Sequence, residues 1–160
     1  MSLLKKFFKK KEAIQETSSL IEDLEKAALW AAENLEASGY LADYSLDSLK
    51  DLDRFFETER TGLLAEHEDR GVVLFTLGAY LGQVALKLHG GAWQTDDQDP
   101  QAELHAKVLL ETGQAFQPVM ACISRYQHSQ SQSLYAFVAG MGHEARHLDQ
   151  PVEEDVTELD

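Results

Sequence analysis

Apolar side chains recur every three or four residues through the first part of the chain, as they do on one face of an amphipathic helix. This pattern predicts a first helix from Glu12 to about Ser38, ended by Gly39, since glycine commonly follows the last helical residue. It predicts a second helix that Ser45 caps and that ends before Gly62. Two amphipathic helices are therefore expected to open the globular body.

The most apolar run of the chain extends from Gly71 to Leu88, and only Gln83 and Lys87 interrupt it. A helix of its sixteen uncharged residues rises about 24 Å, which is short of the roughly 30 Å hydrocarbon core of a bilayer. We therefore expect a buried central helix rather than a membrane span. Gly78 and Gly82 lie on one face of it, and small residues at this spacing predict a close crossing with a neighbouring helix.

After the glycine pair at residues 90 and 91, apolar residues recur every second position instead of every third or fourth. Short strands are predicted over Ala92–Thr95 and, from the alternation of apolar residues, between Leu104 and Leu110. An acidic turn separates them, and a third short strand is predicted near Ala115 and Phe116. Because an isolated hairpin is marginal in water, we expect this sheet to pack on the central helix.

Two more helices complete the predicted elements. Pro118 is placed to open one of them, and Leu134 to His147 shows helical periodicity again. The sequence therefore predicts an α+β fold that is mainly α-helical. It has about five helices and a long apolar central helix packed on a small antiparallel β-hairpin or three-stranded sheet.

Composition refines the organisation of the chain. A length of 160 residues predicts a single domain over residues 1–160, with a globular body at 12–147 and an acidic tail at 148–160 that we expect to be disordered. Cys122 is the single cysteine, so no disulfide can form within the chain. This cysteine usage, together with the lack of a secretory signal, favours the cytoplasm.

The net charge of −14 is unevenly distributed. Residues 1–11 hold five lysines and no acidic residue, whereas the rest holds nine basic and 28 acidic residues, a balance of −19. Leu3, Leu4, Phe7 and Phe8 share one helical face, so the basic amphipathic segment 1–11 predicts either the start of a long docking helix or contact with a membrane surface, peripheral to the inner membrane. The acidic body disfavours nucleic acid as a partner.

The string His143-Glu144-Ala145-Arg146-His147 matches the H-E-x-x-H pattern. On a helix the two histidines could bind Zn²⁺ from one face, while Glu144 could act as general base on a zinc-bound water. Third-ligand candidates lie only in the acidic tail, and little chain remains after His147 to build a substrate cleft. We therefore predict no cofactor and no catalytic residue, and a zinc-dependent hydrolase is the alternative.

Several motifs together resemble bacterial domains of unknown function. They are Ser45-Leu46-Asp47, Leu49-Lys50-Asp51-Leu52-Asp53, the helix Leu77-Gly78-Ala79-Tyr80-Leu81-Gly82-Gln83-Val84, the Gly90-Gly91-Ala92-Trp93 step into a strand, and Pro118. The resemblance spans roughly Tyr44 to Gly140 and implies an α+β fold with a central helix packed on a small sheet. It carries over no activity. Small acidic helical proteins of this kind also resemble the immunity partners of secreted toxins.

The sequence therefore favours a non-enzymatic protein-binding module that neutralises a basic protein partner, such as a secreted toxin. Its partner-binding residues are expected at the surface, on the second helix and in the acidic turn. The predicted contacts are Asp47, Asp51, Asp53, Asp96, Asp97 and Asp99, taken from a wider set that also includes Asp43, Glu57 and Glu59.

Overall fold

A computed structural model describes the backbone of residues 19–149, with the side chains of Leu63 and of residues 142–149 outside that description. The basic segment 1–11 and tail residues 150–160 also lie outside the described residues. The described chain forms seven helices and three strands. In chain order they are α1 (Leu20–Ala37), α2 (Ser48–Glu59), α3 (Leu63–Glu66), α4 (Arg70–His89), β1 (Gly91–Gln94), α5 (Ala102–His105), β2 (Lys107–Leu110), β3 (Ala115–Phe116), α6 (Pro118–Gln127) and α7 (Leu134–Asp149).

The fold is α+β and mainly helical, which confirms the predicted class. Helix α4 is the centre of the molecule, because α1, α6 and the inner face of the sheet all pack against it. The strands are antiparallel in the order β1-β2-β3, with Trp93 opposite Val108 and Val108 opposite Phe116. Trp93, Val108 and Leu110 are buried beneath the sheet. The Trp93 indole N–H donates to Gln83 Oε1 at 2.8 Å, so the sheet is also tied to α4 by a hydrogen bond.

Helix α1 begins later than predicted. Ser19 has extended backbone angles, and its hydroxyl accepts from the Glu22 N–H while the Glu22 carboxylate accepts from the Ser19 N–H. This reciprocal capping box satisfies two N–H groups and marks the start of a helix. The prediction of an unbroken helix from Glu12 to about Ser38 is therefore wrong at Ser19, which caps the start of α1. The predicted stop is confirmed, because Gly39 has φ +92° and the Tyr40 N–H donates back to the Leu35 carbonyl.

The predicted close helix crossing is confirmed at Gly78. A Cβ added there would lie 2.5 Å from Val119 Cα of α6, so only a glycine lets the two backbones approach this closely. A Cβ at Gly82 would instead collide with the Trp93 ring. Helix α4 is long and apolar enough to span a membrane, with a mean hydropathy of 1.5, but 67% of this apolar window is buried inside the protein.

The second strand also differs from its prediction. The alternation that begins at Leu104 predicts a strand there, but residues 102–105 form the short helix α5 and β2 begins only at Lys107. Asp99 explains the difference, because its carboxylate accepts from the Gln101 N–H at 2.8 Å and binds His105 Nδ1 at 2.7 Å. These contacts hold the chain in a turn just before β2. The third strand at Ala115–Phe116 and the helix at Pro118 are confirmed, and α7 extends two residues beyond His147.

Candidate partner-binding groove

A buried ion pair joins α2 to α6. The Arg125 side chain is 4% exposed, and its Nε donates to Asp53 Oδ1 at 3.0 Å. Its Nη2 donates to Glu57 Oε2 at 3.1 Å, and the Glu57 side chain is 69% exposed. One cation therefore faces two carboxylates, so the cluster has a formal charge of −1 and one of its anions reaches solvent.

Asp53 also holds the start of α7. Its Oδ1 accepts from the Leu134 N–H at 2.8 Å and its Oδ2 accepts from the Tyr135 N–H at 3.0 Å. The first N–H groups of a helix have no partner within the helix, and the helix dipole favours a negative charge at this end. Asp53 thus connects α2, α6 and α7 through one carboxylate.

An open groove with a volume of about 480 Å³ lies beside this cluster. Helices α6 and α7 form its walls, together with β3 and the chain between the two helices. Its apolar residues are Phe116, Met120, Ala121, Leu134 and Phe137, and its polar residues are Gln117, Ser124, Arg125, Ser131 and Gln132. Met120 is 37% exposed, which makes it one of the most exposed large apolar side chains among the described residues. We call this feature the α6–α7 groove.

A second depression of about 350 Å³ shares Gln132 and Phe137 with the α6–α7 groove and reaches Met141. Together the two depressions follow α7 over almost two turns from Leu134. A surface of this shape suits an extended segment or a helix of another protein, whose apolar side chains would lie against Phe116, Met120 and Phe137.

The ionisable groups beside the groove are buried or ion-paired. The Cys122 thiol lies behind it on α6, but burial raises its pKa well above the ordinary range and so keeps it protonated. Among the side chains that the structure describes, no group of three or more His, Cys, Asp or Glu residues could hold a metal ion. What the groove offers is apolar surface beside a carboxylate.

Asp53 was expected at the surface, and that prediction is wrong because the residue is only 7% exposed. Both of its oxygens accept from Arg125 or from α7, so neither is available to a partner. The sequence contained a signal for this burial. Asp53 lies one turn from Leu49 and Phe56 on the apolar face of α2, and Arg125 lies three residues after Cys122 on the apolar face of α6. A charged residue of each sign on a buried face indicates a buried pair.

The remaining predicted aspartates fall into two groups, one at the start of α2 and one after β1. Asp47 is exposed and pairs with Lys50. Asp51 accepts from the Leu41 N–H at 2.6 Å, and this hydrogen bond, helped by Arg54, lowers the pKa of its carboxyl group. Asp51 is therefore engaged within the protein, whereas Asp47 has most of its surface free for contact.

In the loop after β1, Asp96 and Asp97 are exposed. Asp99 is partly covered, and hydrogen bonds from His105 and from the Gln101 N–H lower the pKa of its carboxyl group. Asp96 accepts from the Gln98 N–H at 2.9 Å. The loop therefore presents Asp96 and Asp97 to solvent, while Asp99 shapes the turn.

The H-E-x-x-H string lies near the end of α7. The backbone is helical through residues 143–147, but the side chains of His143, Glu144 and His147 lie outside the described residues. Whether they bind zinc stays a prediction.

No family model, curated protein or solved structure matches the chain.

Proposed function

We propose that this protein is a non-enzymatic, cytoplasmic binding module that occupies the functional surface of a basic protein partner, in the manner of a toxin-immunity protein. The α6–α7 groove is the observation that carries the proposal. Its apolar walls offer a place for an anchoring side chain, and buried apolar anchors dominate the energy of most protein interfaces.

Charge supports a basic partner. The chain has a formal net charge of −14, and the carboxylate that reaches solvent beside the groove belongs to Glu57. The Arg125 charge is already matched by Asp53, so the groove does not attract an anion. Long-range attraction by an acidic surface raises the association rate with a basic protein and weakens as salt increases. Asp47, Asp96 and Asp97 are the exposed aspartates that we propose to take part.

The test is a pull-down from the native host at low salt, repeated with two matched variants. Met120→Gln changes an apolar residue of the groove, and Leu109→Gln changes one on the outer face of β2, where the exposed fraction is a similar 39%. We expect a stoichiometric basic protein whose affinity falls about tenfold with Met120→Gln and stays unchanged with Leu109→Gln. Recovery of no basic protein would contradict the proposed function. Equal losses in both variants would remove the groove as the binding surface.

A zinc-dependent hydrolase is the second candidate, because α7 stays helical over the stretch that contains both histidines of the H-E-x-x-H string. If zinc is bound, protein purified without an affinity tag carries one zinc per chain, and a chelator lowers its melting temperature. The variant His147→Ala should abolish both effects. Protein without zinc, with an unchanged melting temperature after chelation, would end this alternative.

A further inference from the structure

A smaller cavity of about 140 Å³ lies on the opposite side of α2 from Arg125, where α1 meets the first half of α4. It shares no lining residue with the α6–α7 groove. Most of its wall is apolar, with side chains from four helices. The apolar lining consists of Trp30, Ala31, Leu35, Phe55, Leu64, Val73 and Leu77. Asn34, Ser38, His67 and Thr76 supply the polar part.

The size of this partly open cavity suits one small ring. An engineered apolar cavity of about 150 Å³ stays dry and binds benzene, so a space of similar volume accepts a single six-membered ring. Two aromatic side chains, Trp30 and Phe55, line it and offer stacking or edge contacts to such a ring. A charged ligand is disfavoured, because the apolar wall would leave its charge poorly solvated.

Two polar side chains of the lining keep one hydrogen-bonding atom each. His67 Nδ1 accepts from the Asp69 N–H at 3.0 Å, so a neutral His67 carries its proton on Nε2 and can donate from there. Asn34 Nδ2 donates to the Trp30 carbonyl at 2.8 Å, which leaves its Oδ1 able to accept. Neither His67 Nε2 nor Asn34 Oδ1 has a hydrogen bond within the described part of the chain. The Thr76 hydroxyl, by contrast, already donates to the Val73 carbonyl.

We propose that this cavity is a binding site for one small aromatic alcohol, with phenol as its simplest member. The ring contacts Trp30, Phe55 and the aliphatic wall. A hydroxyl group accepts from His67 Nε2 and donates to Asn34 Oδ1. The site is independent of the proposed partner-binding function, because no lining residue is shared with the groove.

The direct test is titration of the full chain with phenol and with toluene, which has a similar size but no hydroxyl group. We expect saturable binding of one phenol per chain and binding of toluene that is about thirtyfold weaker, the loss that corresponds to two hydrogen bonds of about 1 kcal/mol each. Tryptophan fluorescence should respond to phenol, and Trp30→Phe should remove the response while Trp93, which lies at the sheet, remains. No saturable phenol binding would overturn the proposal, and equal affinities would overturn the role of the hydroxyl group.

Two variants test the location of the site. Ala31→Leu fills the cavity, and Ala37→Leu makes the same change at an exposed position of the same helix. Because Ala31 is only 2% exposed, the larger side chain could also disturb folding, so Ser38→Leu at the exposed rim provides a second blocking change. We expect phenol affinity to fall at least tenfold in Ser38→Leu. The same loss is expected in Ala31→Leu if that variant folds, and no change is expected in Ala37→Leu. Unchanged affinity in Ser38→Leu would place the bound phenol elsewhere.

Discussion

Replacing Asp53 by alanine is expected to lower the free energy of unfolding by about 3–5 kcal/mol, the usual cost of removing one partner of a buried ion pair. The change removes the acceptor of the Arg125 Nε–H and of two N–H groups at the start of α7. Arg125 would then pair only with Glu57, a partly solvated carboxylate. A loss of this size is a large part of the stability of an ordinary domain, which is about 5–15 kcal/mol, and urea denaturation measures it.

Two further variants separate the contributions of Asp53. Asp47→Ala removes an exposed carboxylate that pairs with Lys50, so we expect a change of less than about 1 kcal/mol. Arg125→Met leaves Asp53 its two α7 N–H groups, so it should cost less than Asp53→Ala. A loss below 1 kcal/mol for Asp53→Ala, or a greater loss for Arg125→Met, would contradict the connecting role assigned to Asp53.

The second large effect is expected for Gly78→Ala, which should lower the free energy of unfolding by about 2–3 kcal/mol. In an open helix this substitution is favourable by about 1 kcal/mol. Here the new Cβ would lie 2.5 Å from Val119 Cα and 2.9 Å from Val119 N. Backbone atoms cannot rotate away as a side chain can, so α4 and α6 must move apart and part of the core must loosen.

Gly71→Ala is the matched control, because it lies on the same helix and a Cβ there would meet nothing within 4 Å. We expect it to be neutral or to raise the free energy of unfolding by less than about 1 kcal/mol. Thermal and urea unfolding of the two variants give the comparison. Equal stability of Gly78→Ala and Gly71→Ala would mean that the crossing of α4 and α6 is not as close as described.

Apolar periodicity predicts the elements whose own sequence pattern shows which of their residues are buried. Helix α4 is apolar on nearly all sides because it has neighbours on nearly all sides, and the glycine pair at 90 and 91 ends it. The same reasoning located β3 and the start of α6. The prediction of a strand from Leu104 is wrong, because a side-chain contact between Asp99 and His105 overrides the alternation of apolar residues.

The candidate sites were harder to predict, because they depend on residues far apart in the chain. Arg125 is 72 residues from Asp53, and neither residue by itself reveals the other. Both the α6–α7 groove and the smaller cavity arise where side chains from several helices fail to fill the space between them, and a one-dimensional pattern contains no information on that shape. The net charge, in contrast, follows from composition alone, which is why the expectation of a basic partner could precede any structure.

The link between Asp53 and the start of α7 also has a consequence for biosynthesis. The Asp53 carboxylate and the Leu134 N–H are 81 residues apart. A ribosome that adds about 5–20 residues per second needs roughly 4–16 s to cover that distance. During this interval α2 has been made but lacks the arginine and the helix end that bury Asp53, so its apolar face has no final partner. Helix α2 therefore depends on α6 and α7 to reach its native packing.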